Sequence, residues 1–176
     1  MSVVASFDTW GDERLERLRG HAIADPLFSS ASFVGDFSAI WHVIGVGRAV
    51  IDHSKWRQSL AMSALIGAES LLVNQGVKRL FRRIRPTETG DPRFRVRRPS
   101  TSSFPSGHAS AGFFSAAILT TATGVSMAPV WYSVAVVIAV SRVYVRIHHL
   151  SDIVGGAALG AVLGVAGSQV FSMLVL

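Results

Sequence analysis

The chain contains no cysteine. That absence excludes a disulfide framework, a thiolate metal site and a cysteine nucleophile. Charge is also scarce: only 16% of the 176 residues are Asp, Glu, Lys or Arg, and none lies between Ile153 and Leu176. The start of the chain lacks the basic-then-apolar pattern of a leader and carries Asp8, Asp12, Glu13 and Glu16 instead, so no cleavable signal peptide is expected. No internal repeat or low-complexity tract is present.

Apolar residues are what the sequence has in quantity, at 49%, and the mean hydropathy is positive. At this length the chain is one domain, 1–176. Long apolar runs separated by short charged clusters describe an all-α, polytopic transmembrane helix bundle, because only helices and closed barrels satisfy their backbone groups inside lipid. The net charge of +6 does not point to nucleic acid. Most of the basic residues lie in one loop between apolar runs, which suits anionic lipid or a phosphorylated headgroup. Arg greatly outnumbers Lys, and Ala, Gly and Val are abundant, as in GC-rich bacterial genomes; a multi-pass protein of a bacterial inner (plasma) membrane is expected.

Five spans are predicted, near 29–51, 59–80, 107–124, 129–147 and 153–176. Residues 8–22 alternate charge with Trp10, Leu15 and Leu18 at helical spacing and are predicted to form an amphipathic helix at the membrane surface. Asp36, His42, Arg48 and Glu69 interrupt the first two spans; pairing among themselves or a place near span ends accounts for them, with the role of Glu69 open. Gly156, Gly160 and Gly164 recur every four residues in the last span. Such spacing allows close helix approach. It serves packing within one chain or a homodimer seam, and the first use is preferred.

Three polar constellations sit beside span ends. Lys78 and Arg85-Pro86 follow the second span. Pro105-Ser106-Gly107-His108 opens the third. Ser141-Arg142, His148 and Asp152 join the fourth to the fifth. Two crossings separate the second-span exit from the fourth-span exit, so all three constellations emerge on one face. Phosphoryl transfer needs cations around the phosphorus oxygens and an in-line nucleophile. Lys78, Arg85 and Arg142 supply charge, and guanidinium forks bind phosphate oxygens in pairs. Ser106 and Gly107 at a helix start offer a hydroxyl, backbone N–H donors and room for close approach. His148 and Asp152, four apart, share a helix face, so the carboxylate fixes one ring nitrogen and frees the other to attack. His108 then suits the general acid and base. With one carboxylate in this set, a two-metal site is not supported, and no metal or cofactor is expected.

Lys78-x6-Arg85-Pro86, Pro105-Ser106-Gly107-His108 and Ser141-Arg142-x5-His148-x3-Asp152 together resemble the signature of the type 2 phosphatidic acid phosphatase (PAP2) superfamily, with no substitution. The resemblance implies a membrane lipid phosphate phosphatase working through a phosphohistidine. In it His148 is the nucleophile, Asp152 its orienting partner and His108 the acid/base, with Lys78, Arg85, Ser106, Gly107 and Arg142 on the phosphate. Membrane members typically have six spans; here the first is replaced by the amphipathic helix, a departure that touches substrate entry and not the chemistry. His149 lies outside the signature and reads as a neighbour that tunes or contacts the headgroup.

The superfamily also holds soluble vanadium-dependent haloperoxidases, which the lipid-length spans argue against. Lipid phosphotransfer to an alcohol, and phosphatidylglycerophosphate or phosphatidate hydrolysis, are the nearer alternatives. A non-catalytic lipid-binding role conflicts with the intact set of acid, nucleophile and cations. Arg93, Arg95, Arg97 and Arg98 beside the pocket suit a headgroup with several negative charges or a sugar. A polyprenyl-linked phosphate, either a polyprenyl diphosphate or a phosphorylated polyprenyl sugar, is therefore the expected substrate. The basic residues of the site face (Arg14, Arg17, Arg19, Arg79, Arg82, Arg83, Arg93, Arg95, Arg97 and Arg98) outnumber Arg48, Lys55 and Arg57 on the other. That bias predicts a cytoplasmic site.

Overall fold

Apolar sequence of this kind must hide its backbone from lipid, and it does so here as helices; no strand occurs among the described residues. The computed structural model describes residues 2–87, 91–94, 96 and 100–175. Its α-helices are α1 (Val3–Glu16), α2 (Ala24–Val34), α3 (Ala39–Ile51), α4 (Trp56–Leu71), α5 (Gly107–Thr123), α6 (Ala128–Tyr144) and α7 (Leu150–Val175). Three helical segments are long and apolar enough to cross a membrane: His53–Leu80, Val125–Tyr144 and Leu150–Val175, or four if the bent pair α2–α3 is one span. The third expected span, near 107–124, is α5, which is 17 residues long and is enclosed by its neighbours. Ala109, Ala116, Ile118 and Leu119 on it are wholly buried. It begins where Ser106, in extended conformation, accepts a hydrogen bond from the Ala109 N–H, and stops at Gly124, whose φ is 96°.

The last helix lies against α5 through its small residues. A Cβ at Gly156 would stand 2.4 Å from the Ser106 carbonyl oxygen, and one at Gly160 would stand 2.1 Å from that of Ser110. The four-residue spacing is thus used within the chain. A mid-bundle core of Trp41, Met62, Ile66, Phe114, Ile118, Ile138 and Phe171 fills the space between α3, α4, α5, α6 and α7, while Val154, Val162, Val165 and Val170 face outward, as lipid contact requires.

Two expectations need correction. The first span is not one straight helix over 29–51: α2 and α3 meet at 66°. Between them Phe37 and Ser38 adopt left-handed backbone conformations, with φ of 55° and 60°, each costing roughly 1–2 kcal/mol for a residue with a Cβ. A straight helix would carry Asp36 along an apolar run; the break turns it into the protein instead.

The surface helix is displaced from 8–22 to Val3–Glu16, and Asp8 on it faces inward while Glu13, Arg14 and Glu16 stay exposed. Asp8 and Gly11 are buried, and a Cβ at Gly11 would lie 2.6 Å from the Leu150 side chain. Val3, Phe7 and Trp10 are left on the outer edge. Ion pairs hold α1 to the turn after α6. Arg19 reaches Asp12 and Glu16, both at 2.7 Å, and donates to the Tyr144 and Val143 carbonyls. Arg146 reaches Glu16 at 2.8 Å, and Arg93 reaches Asp91 at 2.7 Å and Glu16 at 3.0 Å. Arg93 is therefore spent on this network and not on a headgroup. Arg95, Arg97 and Arg98 lie outside the described residues.

Candidate active site

The helix ends that the sequence placed on one face do converge. Past α4 the chain continues through a π-helical turn, Leu72–Gly76, and a 3-10 turn, Val77–Leu80. This widened turn brings Lys78 inward, where it is 5% exposed. Lys78, Gly107, His108 and His148 line a single cavity of about 390 Å³, which continues past Asn74 and Ser70 to His42.

His148 sits in the short connection between α6 and α7. Its Nδ1 lies 3.4 Å from Asp152 Oδ2, longer than a direct hydrogen bond, and the Ser103 hydroxyl joins the two by donating to Asp152 Oδ2 while lying 3.4 Å from Nδ1. Nε2 points the other way, 3.3 Å from Arg85 Nη1. The tautomer with its proton on Nδ1 therefore leaves the Nε2 lone pair on the side of Arg85, away from Asp152. Burial, reinforced by Arg85, Arg142 and Lys78 against the pull of Asp152, pushes this imidazole down to about 3. It is neutral, and so nucleophilic, across the physiological range.

Asp152 is held on every side. It accepts from the His149 N–H at 2.8 Å and from Arg83 Nη1 at 2.6 Å. Arg83 also donates to Asp8 of α1, and Asp8 in turn accepts from the Ser151 N–H at 2.8 Å and the Ser151 hydroxyl at 3.0 Å. Ser103, Arg83 and Asp8 were not foreseen. Nothing in their spacing marks them, since Asp8 is 144 positions from the carboxylate that it helps to hold. His149 Nε2 lies 3.2 Å from the Ile84 carbonyl, where it ties the loop after α4 to the start of α7.

Of the expected phosphate ligands, Lys78 and Gly107 are on the cavity wall, whereas Arg85, Arg142 and Ser106 do not line it. Arg142 is 1% exposed; its Nη1 donates to Ser32 and lies 3.7 Å from Asp36, while its Nε and Nη2 find no hydrogen-bond partner among the described residues. Arg85 donates to the Ile147 and Thr101 carbonyls, and its Nε is likewise without a partner among the described residues. Burial pushes the Arg85 guanidinium below its ordinary range. Buried cationic N–H groups left over in this way are donors in search of an anion. One expected donor is occupied: the Ser106 N–H donates to the Asp152 carbonyl at 3.0 Å. Gly107 and His108, in the first turn of α5, remain on the cavity wall. His108 Nε2 is 3.0 Å from Asp36 Oδ1.

Of the other ionisable groups, Arg48 hydrogen-bonds Gln58 and the Ala122 carbonyl at the far end of the bundle, and His42 Nδ1 lies 3.0 Å from the Ser63 hydroxyl. Glu69 accepts from Ser110, with its second oxygen unpartnered among the described residues. Among the described residues none of the three makes an ion pair; each has a neutral hydrogen-bond partner.

The arrangement suits in-line displacement at phosphorus: an imidazole nitrogen on one wall, a second imidazole on the same cavity, and buried guanidinium and ammonium groups around it. Comparison with known proteins agrees. The profile of the PAP2 superfamily matches residues 58–175. A decaprenylphosphoryl-5-phosphoribose phosphatase of Mycolicibacterium smegmatis is 33% identical over 128 residues, covering 71% of this chain and 67% of that protein. One of the same description from Mycobacterium tuberculosis is 38% identical over 88 residues, so that alignment spans about half of each chain, 50% and 48%. Among solved structures, a transmembrane PAP2-type phosphatidylglycerolphosphate phosphatase from Bacillus subtilis superposes with a TM-score of 0.73 at 20% identity, over 99% of this chain and 89% of that one. Aquifex aeolicus LpxE gives 0.69 at 18% identity, over 96% of each. At those identities the two structures speak for the fold alone. With its profile matched over two thirds of the length and its fold shared, the chain belongs to the PAP2 superfamily and is a membrane-embedded phosphatase.

Proposed function

We propose that the enzyme hydrolyses the terminal phosphate of a polyprenyl-linked lipid, with a phosphorylated polyprenyl sugar as the preferred substrate. The observation that carries the chemistry is His148, whose Nδ1 faces Asp152 and Nε2 faces Arg85, on a cavity shared with His108 and Lys78. Nε2 attacks phosphorus, the bond from phosphorus to the lipid-side oxygen breaks, and His108 gives that oxygen a proton. The resulting N–P bond is then cleaved by water, whose proton returns to His108, and inorganic phosphate leaves. Arg142, Arg85 and Lys78 hold the phosphoryl oxygens, with the Ser106 hydroxyl and the start of α5 at Gly107 completing the cradle. Three cations around one cavity repel a divalent ion, so the charge stabilisation comes from the protein itself.

The substrate class is supported by the two mycobacterial relatives, both named for a polyprenyl-phosphoryl sugar phosphate. It is also supported by the polar extension of the cavity towards Ser70, Asn74 and His42, which has room and hydrogen-bonding groups for hydroxyls. The Lys/Arg bias supports a cytoplasmic site, where such a precursor would be presented from the inner leaflet. The test is phosphate release by the purified protein, in EDTA, from a polyprenyl-phosphoryl pentose phosphate, a polyprenyl diphosphate, phosphatidylglycerophosphate and phosphatidate. The highest kcat/KM is expected for the sugar phosphate. Preference for either glycerolipid would overturn the substrate assignment, and complete loss in EDTA restored by magnesium would overturn the mechanism.

A further inference from the structure

The nucleophilic imidazole has a carboxylate behind it, and so does the other. Asp36 Oδ1 lies 3.0 Å from His108 Nε2, on the wall of the same cavity. It comes from none of the three signature constellations. It sits in the break between α2 and α3, inside an apolar run that would otherwise have passed as a continuous span. The break brings it against the ring: a Cβ on Gly35 would stand 2.8 Å from His108 Cδ2, so only glycine lets the chain pass this close. Phe37 and Ser38 follow in left-handed backbone conformations, a geometry that persists only where the surroundings hold it in place. Asp36 also lies 3.7 Å from Arg142, a buried guanidinium whose Nε and Nη2 find no hydrogen-bond partner among the described residues.

We infer that Asp36 is the positioning residue of the general acid, fixing the His108 ring so that its remaining nitrogen meets the leaving oxygen. The inference rests on the assignment of His108 as the acid. Nε2 belongs to Asp36, so Nδ1 is the atom that gives the proton to the departing lipid-side oxygen and takes one from water in the second step. A carboxylate on Nε2 favours the protonated ring needed for the first step, and it pins the imidazole against rotation in a cavity whose wall includes Gly35 and Gly107, which offer no side chain to hold the ring. The enzyme thus uses two carboxylate–imidazole pairs with opposite duties. Asp152 holds a neutral ring that attacks, and Asp36 holds a ring that donates.

Such a role makes the effect of Asp36 depend on how much help the leaving group needs. Asp36→Asn keeps the shape and removes the charge, and Asp36→Glu restores the charge at a changed reach. For an alkyl phosphate ester, Asp36→Asn is expected to lower kcat on the order of 10–100-fold, part of the roughly 10²–10⁴ that a general acid supplies. For 4-nitrophenyl phosphate, whose leaving group needs no proton, the loss is expected to stay within about threefold, with inhibition by vanadate retained as proof of a folded phosphate site. Asp36→Glu should recover part of the alkyl-ester rate. In a His108→Ala background the further substitution of Asp36 should change neither rate. Equal losses on both substrates, no loss on either, or an undiminished loss in the His108→Ala background would overturn the proposal. His108→Ala alone keeps the two readings apart. If it shows no dependence on leaving group, the acid assignment fails and Asp36 with it. If it does and Asp36→Asn does not, only the Asp36 proposal falls.

Discussion

At the scale of single residues, the site is built from groups that have no better place to go. Arg142 is buried with two of its nitrogens unpartnered among the described residues, an arrangement that would destabilise a protein with no anion to bind. His148 is kept neutral by burial beside three cations, so its lone pair is available without a separate base. His148→Ala is accordingly expected to abolish turnover, with residual rates below about 10⁻³ of the parent, while the protein inserts, purifies and melts as before. Near-normal phosphate release from that variant would refute the nucleophile assignment. The residues of the three constellations were legible because the chemistry of phosphate dictates their types and short spacings. Asp36, Arg83, Ser103 and Asp8 were not, because each acts across a long stretch of chain and is of an ordinary type. Asp36 did stand out as a charge in an apolar run; what it touched required the fold.

Elements show the same division. The helix α7 reads as a span from composition alone, and its glycines find α5, where the Ser110 carbonyl leaves no space for a Cβ at Gly160. Gly160→Ala is therefore expected to destabilise the bundle by about 1–3 kcal/mol, readable as a lowered Tm in detergent; an unchanged Tm would contradict this packing. The helix α1 was legible as amphipathic, but which side faced lipid was not. Asp12 and Glu16 on it meet Arg19, Arg93 and Arg146 while still touching water, and Asp8 meets Arg83. Glu16 is held down to about 2 by Arg93 and Arg19, and Asp91 to about 2 by Arg93. Carboxylates depressed in this way add stability that is complete above their unfolded pKa, near 4, and is lost as pH falls through about 2. Docking of α1 should therefore hold at pH 5 and loosen between about pH 4 and pH 2. Hydrogen exchange of residues 3–16, corrected for the intrinsic rate at each pH, would show it; equal protection at pH 5 and pH 2.5 would show that the ion pairs do not hold the helix.

For the whole molecule the open question is which way it sits in the membrane. Arg14, Arg17, Arg79 and Arg82 are exposed on the site face, and Arg19, Arg83 and Arg93 there are engaged with protein carboxylates. The excess of basic residues thus does not exist only to hold substrate, which strengthens its use as an orientation signal. Single cysteines at Thr9, on α1, and at Ser126, in the exposed turn before α6, are expected to react differently with a membrane-impermeant thiol reagent in intact cells. Position 126 should label and position 9 should not; the reverse would place the site outside the cytoplasm. The sequence by itself determined that the chain is a helical membrane protein, and it marked residue types and spacings that phosphate chemistry calls for, because hydrophobic run length and the charge needs of phosphate are local and compositional constraints. Only the tertiary structure decided that the first apolar run breaks at Asp36, that Asp8, Asp12 and Glu16 of α1 reach arginines far along the chain, and that the imidazoles of His148 and His108 each stand near a carboxylate. Those outcomes depend on which distant groups are left unsatisfied when the helices pack, and no local pattern records that.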